Sequence, residues 1–243
     1  MMLKYIILLF LYLPVPVGAV ELNNLRFITE EYPPYNYTDN GEIVGLSVDV
    51  LKLAAESIHD PINLIELQPW ARGYMNLSNG PMVVLFSTTK TKEREAKFKW
   101  AGPITSTKIV ALAKKDKKIK ISKPEEFEKY VIGVVRSDVG EQLLLSLGVN
   151  DGRLRQSHSP KLMVKKLNYD RVDIIAYDIN VAKSIMKKEN IDFYNYEVVY
   201  TLSQSKLYYA FSLDTPDEFI DKLQKGIDII RSNGDLDEII LKY

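Results

Sequence analysis

Short apolar segments alternate with amphipathic segments along most of the chain. Apolar runs at residues 82–86, 109–113 and 171–177 have the length and the β-branched content of buried strands. Residues 50–58 and 217–231 instead repeat their apolar side chains at the spacing of one helical face. This alternation predicts an α/β protein in which helices connect the strands of a mostly parallel sheet.

The first 19 residues have a different pattern. One early cation, Lys4, precedes an apolar run, and the segment ends with two prolines and the small residues Gly18 and Ala19. This order is typical of a secretory signal peptide, residues 1–19, and we expect cleavage after Ala19. The run is shorter than the roughly 20 apolar residues that span a bilayer. We therefore predict an exported, periplasmic protein without a membrane anchor.

Composition narrows the possible chemistry. The chain carries 32 basic and 32 acidic residues, so no net charge favours a nucleic acid as partner. It contains no cysteine and two histidines, which excludes thiolate metal sites and leaves little for histidine ligands or for Ser-His-Asp catalysis. We therefore expect no nucleic acid, no metal and no other cofactor.

Aromatic and polar side chains follow the predicted strands, where ligands bind in open α/β sheets. The proline-rich loop that begins at Tyr32 offers a rigidly held aromatic face, or else forms a packed structural turn. Ser87, Thr89 and Arg94 follow the strand at residues 82–86. Arginine binds carboxylates through two parallel hydrogen bonds, which suits a carboxylate ligand. Taken alone, Arg94 would also suit a surface salt bridge.

Two aspartates occupy similar positions further along the chain. Asp138 lies between a predicted strand and the start of a helix. Free amides at such a place attract anions, unless the aspartate side chain takes those amides itself. Asp178 follows the strand at residues 171–177 and suits the ammonium group of a ligand, or else caps a helix.

The order of these elements points to one family. YPPY is followed by GLSVDV, PW, TKERE, FKWAGPI, IGVVRSDVGE, DRVDIIAYD and a final SNGDLDEIILKY. Over residues 25–243 this order resembles the bacterial extracellular solute-binding proteins of family 3, the periplasmic receptors of polar amino-acid ABC transporters. The resemblance implies the type II periplasmic binding fold. In that fold two α/β lobes, each a mostly parallel sheet flanked by helices, are joined by two hinge strands.

The resemblance also implies roles for individual residues. The arginine of a T-x-x-R element clamps the α-carboxylate of the ligand, which assigns that role to Arg94. The aspartate that ends the DRVDIIAYD element binds the α-ammonium group, and this residue is Asp178. Tyr32 stands at the place of the aromatic residue that covers the ligand. Ser87 and Thr89 stand where hydroxyl groups line the first lobe.

One departure from the family pattern changes the expected ligand. Family members have glycine and threonine at the start of the helix in the second lobe, whereas this chain has Ser137 and Asp138. Asp138 therefore either caps the helix, or faces a cationic group, or accompanies a ligand that is not a standard α-amino acid. The PW-x-R element at Trp70 is typical of a divergent branch of the family. The predicted ligand-binding residues are Tyr32, Trp70, Ser87, Thr89, Arg94, Asp138 and Asp178.

The resemblance divides the chain after the signal peptide into a discontinuous first lobe, residues 20–106 and 205–243, and a second lobe, residues 107–204. We expect the lobes to close on a small polar, amino-acid-like ligand, because contacts to both lobes stabilise the closed state. The expected protein is a monomer that delivers this ligand to an ABC permease in the inner membrane and is not an enzyme.

Two other functions stay open at this point. A stand-alone sensor module closes on a ligand in the same way and signals to a membrane partner. A few proteins of this fold resemble cyclohexadienyl dehydratases, and such an enzyme needs a positioned acid, for which Glu31, Asp138 and Asp178 are candidates. The sequence contains no nucleophile elbow, HExxH motif or phosphate-binding loop, which favours binding over catalysis.

Overall fold

A computed structural model describes residues 20–243, and the predicted signal peptide lies outside the described residues. The strands are β1 (Arg26–Thr29), β2 (Tyr37–Asp39), β3 (Glu42–Val44), β4 (Ile65–Leu67), β5 (Val83–Thr89), β6 (Lys99–Lys114), β7 (Ile132–Val135), β8 (Leu154–Ser157), β9 (Ile174–Asp178) and β10 (Tyr196–Phe211). The α-helices are α1 (Leu46–Ser57), α2 (Trp70–Asn79), α3 (Lys92–Glu95), α4 (Val139–Ser146), α5 (Pro160–Asn168), α6 (Ile179–Lys188), α7 (Asp217–Ser232) and α8 (Asp235–Leu241).

Eight of these strands form one hydrogen-bonded sheet in the order β4-β1-β5-β10-β6-β9-β7-β8, and β2 pairs with β3 in a separate hairpin. β1 is parallel to β4 and β5, and β7 is parallel to β8 and β9. β6 and β10 are antiparallel to each other, and each is 16 residues long. Because a strand of that length reaches up to roughly 50 Å, both strands run through the two halves of the sheet.

β6 and β10 join two α/β lobes, which confirms the predicted fold class. Lobe 1 contains β1, β4 and β5, packed with α1, α2, α7 and α8. Lobe 2 contains β7, β8 and β9, packed with α4, α5 and α6. The inner parallel strands of each lobe, β1, β5, β7 and β9, are short and largely buried, as expected for strands that are covered by helices on both faces.

Each lobe has a point where a helix approaches its neighbour so closely that only glycine fits. A Cβ atom at Gly226 of α7 would collide with the carbonyl oxygen of Ala54 in α1. A Cβ atom at Gly140 of α4 would collide with the carbonyl oxygen of Ala176 in β9. The first contact sets the distance between α7 and α1, and the second sets the distance between α4 and β9.

β5 carries two of the predicted site residues inside the sheet. All of its residues from Val83 to Thr89 are buried, and it lies between β1 and β10. The strand predicted at residues 82–86 therefore continues through Ser87 to Thr89 and lies in the interior of the sheet. Because β5 lies in the middle of the sheet, it holds Ser87 and Thr89 rigidly at its carboxyl end.

Candidate ligand-binding site

The two lobes meet through segments at or beyond the carboxyl ends of strands. In lobe 1, Tyr32 follows β1, Trp70 follows β4 and Arg94 follows β5. In lobe 2, Ser137 follows β7 and Tyr177 lies near the end of β9. Ligands bind at this edge of an open α/β sheet. The region between the strand ends of the two lobes is called the cleft below.

Arg94 is fully buried in the cleft. Helix α3 begins after Thr91, whose Oγ1 accepts a hydrogen bond from the main-chain N–H of Arg94 at 3.2 Å. The guanidinium group lies over the rings of Trp70 and Tyr74, at 5.2 and 5.1 Å from the ring centres. Its Nε donates to Oε1 of Gln142 in α4 at 3.0 Å, so the side chain bridges the two lobes.

The main-chain carbonyl of Ser137 accepts hydrogen bonds from two side chains of lobe 1. Nε1 of Trp70 donates to it at 2.8 Å, and Nη2 of Arg94 donates to it at 3.4 Å. Ser137 has a φ of 61°, in the left-handed region that non-glycine residues seldom adopt. The turn between β7 and α4 therefore presents its carbonyl oxygen to lobe 1.

Asp138 directly follows this turn, at the N-terminus of α4. Its side chain makes no capping hydrogen bond, and its Oδ2 atom is buried without a partner. Burial raises the pKa of this carboxyl group to about 6, against the opposing effect of the nearby Arg94 charge. Asp138 therefore stands at the N-cap position of α4 without a side-chain cap, although the main-chain N–H of Val139 lowers its pKa, and contact with a ligand stays a prediction.

A second carboxyl group, that of Glu30, enters the cleft from lobe 1. Glu30 directly follows β1 and is 5% exposed. Burial raises the pKa of its carboxyl group well above the usual range, and the negative charge of Asp138 raises it further. Glu30 is absent from the set of residues predicted from the sequence. Its position directly after a strand is the signal that could have identified it.

Three tyrosines form an inner wall of the cleft. The ring centre of Tyr32 lies 5.4 Å from that of Tyr35 and 5.6 Å from that of Tyr177, and the contact with Tyr177 joins the lobes edge to face. Nδ2 of Asn180 donates to the hydroxyl of Tyr35 at 3.2 Å, which adds another contact between the lobes. Tyr32 is 3% exposed, so its ring faces the interior of the cleft.

Asp178 receives four hydrogen bonds from the protein. It caps α6, because Oδ1 accepts from the main-chain N–H groups of Asn180 and Val181 at 2.8 and 3.0 Å. Oδ2 accepts from the hydroxyl of Thr107 at 2.6 Å and from the main-chain N–H of Lys108 at 3.3 Å. Burial raises the pKa of Asp178, whereas these donors lower it. The structure shows the helix cap, and contact with an ammonium group stays a prediction.

Ser87 and Thr89 differ in their partners. The hydroxyl of Ser87 donates to Oδ1 of Asn36 and accepts from the hydroxyl of Ser47, and these bonds fasten the loop after β1 to α1. The main-chain carbonyl of Thr89 accepts from Nη1 of Arg94 at 3.4 Å. Thr89 therefore supports the guanidinium group, whereas Ser87 stabilises the aromatic loop beside the cleft.

Unpartnered polar atoms concentrate in this region. Within residues 20–243, four buried side-chain atoms have no hydrogen-bond partner, and all four belong to residues at or just beyond the carboxyl ends of parallel strands. A buried polar atom without a partner costs about 1–3 kcal/mol. Such a cluster indicates a place for a polar ligand. The atoms are Oγ1 of Thr29, Oδ2 of Asp138, Oγ of Ser157 and the hydroxyl of Tyr177.

Two adjoining cavities open between the lobes beside this cluster. The smaller one, of about 220 Å³, is lined by Glu30 and Gln68 of lobe 1 and by His158 and Ser159 of lobe 2. The larger one, of about 410 Å³, shares Glu31 and Ser159 with it. Glu30 therefore lies where the buried cluster meets the space between the lobes.

Among residues 20–243, no three histidine, aspartate or glutamate side chains converge in a way that could hold a metal ion. In that range, no helix combines the length and the apolar character that crossing a bilayer requires.

A two-lobed α/β fold with a polar cleft at the strand ends defines a class of ligand-binding proteins. The chain matches the model of the bacterial extracellular solute-binding proteins, family 3, over residues 25–243 and belongs to this family. This confirms the resemblance seen in the sequence. None of the curated proteins matches the sequence.

Solved structures show the same fold at low sequence identity. A histidine kinase sensor domain with similarity to periplasmic binding proteins matches 91% of this chain and 96% of its own, with a TM-score of 0.80 and 18% identity. An ancestral arginine-binding protein bound to arginine matches 92% and 99%, with a TM-score of 0.76 and 20% identity. An ABC uptake transporter substrate-binding protein from Streptococcus pneumoniae with bound histidine matches 91% and 92%, with a TM-score of 0.77 and 16% identity.

Proposed function

We propose that the protein captures a small polar, amino-acid-like solute between its two lobes and delivers it to an ABC transporter in the inner membrane. The observation that carries the proposal is the set of four unpartnered polar atoms at the strand ends of both lobes, together with the buried Arg94 between the lobes. A ligand that bonds to atoms of both lobes stabilises the arrangement in which the lobes are together. Membership of the solute-binding family supports the same function.

In this proposal Arg94 binds the carboxylate of the solute. Its present partners are the neutral acceptors Gln142, Ser137 and Thr89, at 3.0, 3.4 and 3.4 Å. A carboxylate forms shorter and stronger bonds with a guanidinium group than these neutral oxygens do. The solute therefore replaces the longer bonds, while Trp70 and Tyr74 keep the guanidinium plane in position.

The remaining predicted residues receive different roles. Tyr32 covers the solute, and Asp138 contacts it with the oxygen that has no protein partner. Asp178 lies close enough to Tyr32 and Tyr35 to raise their pKa values, so its charge acts on the same region while it caps α6. Ser87 and Thr89 hold the loop and the guanidinium group.

We place the movement of the lobes in β6 and β10. β5 pairs with β10 only over residues 207–211, and β9 pairs with β6 over residues 109–113. Between these two regions β6 and β10 pair only with each other, and the proposed lobe boundaries fall there, at residues 106–107 of β6 and 204–205 of β10. The register between β6 and β10 is regular from Ser203 to Leu207 and shifts between Thr201 and Ser203 and between Leu207 and Tyr209, so irregular pairing, which weakens a ladder, flanks the proposed hinge on both sides. Small-angle X-ray scattering with and without solute would detect closure as a smaller radius of gyration.

The first experiment is expression of the full-length chain in a bacterial host and recovery from the periplasm. We expect an N-terminus at residue 20 and a monomer on size exclusion. Thermal-shift screening against amino acids, amines, small carboxylates and short peptides follows, since a ligand that binds only the folded state raises the melting temperature. No shift with any α-amino acid would contradict the proposal.

Two further measurements separate this function from its alternatives. Proton NMR of a bound solute over a day would show no product if the protein is not an enzyme, whereas turnover would point to a dehydratase-like activity. Uptake of labelled solute by cells with and without the gene tests transport. Unchanged uptake in the deletion strain would favour a sensor, a role consistent with the fold likeness to a histidine kinase sensor domain.

A further inference from the structure

Acidic side chains outnumber basic side chains among the buried groups of the cleft. Glu30, Asp138 and Asp178 bring three carboxyl groups, and Arg94 brings one guanidinium group. None of the ion pairs within residues 20–243 includes any of these four side chains. Buried charges are normally paired, because removal of an ion from water is expensive. Arg94 lowers the pKa of Glu30 and of Asp138, but burial outweighs this effect, so the two carboxyl groups lack the positive charge that would keep both ionised.

The hydrogen bonds show which carboxyl groups lack compensation. Asp178 has its four donors from Thr107, α6 and β6. Arg94 directs its guanidinium group to Gln142 and to main-chain carbonyls rather than to a carboxylate. What is left are Glu30 from lobe 1, whose pKa the negative charge of Asp138 raises, and Asp138 from lobe 2, whose Oδ2 atom has no partner.

From this arrangement we infer that Glu30 and Asp138 together bind a positively charged group of the solute, so that the protein takes a cationic solute such as a basic amino acid. The inference rests on the proposed function and specifies its substrate class. Both carboxylates accept hydrogen bonds when ionised and donate none, as an ammonium or guanidinium group requires. Because the pair comes from opposite lobes, a cation between them also joins the lobes.

The other unpartnered atoms fit a ligand rich in N–H groups. The hydroxyl of Tyr177 and the Oγ atoms of Thr29 and Ser157 can each accept a hydrogen bond, and all three are buried without a partner. The charges of Glu30 and Asp138 both raise the pKa of the Tyr177 hydroxyl, which lies among them. A guanidinium group has five N–H donors in one plane and can serve several acceptors at once.

A path to this pair exists between the lobes. Glu30 lines the cavity of about 220 Å³, which adjoins the larger cavity of about 410 Å³. Tyr32 flanks the same region and presents an aromatic ring, and rings of this kind attract cations. Glu30 thus lies at the inner end of the opening between the lobes, whereas Asp138 lines neither cavity.

The test compares L-arginine with L-citrulline, which has nearly the same shape but a neutral side chain. Isothermal titration of the full-length expression product is expected to show at least tenfold tighter binding of L-arginine. Glu30→Gln and Asp138→Asn are each expected to bring the ratio of the two affinities close to one, mainly by weakening L-arginine. Because both solutes are measured on the same variant, a folding defect would weaken both and leave the ratio unchanged. Glu42→Gln, at an exposed position of β3, is the matched control and should keep the wild-type ratio.

Each alternative outcome has a distinct meaning. Equal or tighter binding of L-citrulline or L-glutamine by the wild-type protein would overturn the charge inference and leave the proposed function standing. Binding of putrescine, a cation without a carboxylate, in preference to every amino acid would support the acidic pair and overturn the amino-acid-like solute. A wild-type preference for L-arginine that survives both substitutions would overturn the roles of Glu30 and Asp138. Binding of none of these probes would overturn both proposals.

Discussion

The indole Nε1 of Trp70 donates a hydrogen bond of 2.8 Å to the main-chain carbonyl of Ser137, and this bond joins lobe 1 to lobe 2. Trp70 is 3% exposed, and its ring also stacks on the guanidinium group of Arg94. The same side chain therefore fastens the lobes together and positions the cation of the cleft. A substitution at Trp70 can therefore test whether ligand affinity depends on the contact between the lobes.

Trp70→Phe removes the N–H donor and keeps an aromatic ring on Arg94. A typical hydrogen bond contributes about 1 kcal/mol, so we expect solute affinity to fall by about fivefold and the scattering of the protein to shift toward a more open form. Trp100→Phe is the control, because Nε1 of Trp100 donates within lobe 1, to the carbonyl of Glu95 at 3.1 Å. Equal effects of the two substitutions would argue against a role of the Trp70 bond between the lobes.

Arg94→Ala tests the carboxylate clamp. Loss of a buried, charged contact to a carboxylate is expected to weaken binding of any α-amino acid by at least thirtyfold, equivalent to about 2 kcal/mol or more. Arg72→Ala, at an exposed position of α2, should leave affinity unchanged. Calorimetric affinities for the variants decide the point. An Arg94→Ala protein that binds within about twofold of wild type would remove the clamp from the proposal.

The stability of the solute-free protein is expected to fall as pH rises from about 4 to about 6. Burial raises the pKa of Asp138 from 3.8 to about 6 in the folded protein, so its contribution is fully present below the unfolded value and is lost as pH rises through the folded value. The charged groups around it are Arg94, Asp178, Glu141 and Glu30. In Asp138→Asn this fall in melting temperature should be smaller by a few degrees.

Melting curves at half-unit steps of pH provide the measurement. Asp39→Asn is the control, because Asp39 is exposed at the end of β2 and should keep the wild-type pH profile. A profile of Asp138→Asn that runs parallel to that of wild type would show that Asp138 ionises in the folded protein as it does in water.

Gly226→Ala tests the packing of lobe 1. A Cβ atom at this position would collide with the main-chain carbonyl of Ala54. Relief of this clash requires a shift of the main chain, which lowers the free energy of unfolding. We expect a loss of about 2 kcal/mol, which corresponds to roughly 4–8 °C in melting temperature. Ser232→Ala, on an exposed position of the same helix, should change it by little. A Gly226→Ala protein as stable as wild type would show that α1 and α7 can separate at no cost.

The place of several cleft residues was predictable because they stand at or shortly after the ends of strands. Arg94, Asp138 and Asp178 follow apolar runs that the structure shows as β5, β7 and β9. The partners of these side chains were not predictable. A sequence does not show whether a carboxylate next to a helix caps it, and here Asp178 does so while Asp138 does not.

Glu30 and Tyr177 show the limit of sequence reasoning most clearly. Each follows or ends an apolar strand, but nothing in the local pattern tells a buried glutamate from an exposed one. Glu31, the next residue, is exposed and bonds the main-chain N–H of Thr38 at 3.1 Å. Which of the two carboxylates enters the cleft depends on the path of the loop after β1 and on the lobe that covers it.

The sequence by itself determined the α/β class, the family and the strand ends where a ligand site is expected, because periodicity and turn residues act over a few positions. The tertiary structure alone decided the length of β6 and β10, since each strand is extended by pairing with a partner about 100 positions away in the chain. It also decided the charge of the cleft. Glu30 and Asp138 are separated by most of a lobe in sequence, and only the folded chain brings two carboxylates from opposite lobes into one buried region.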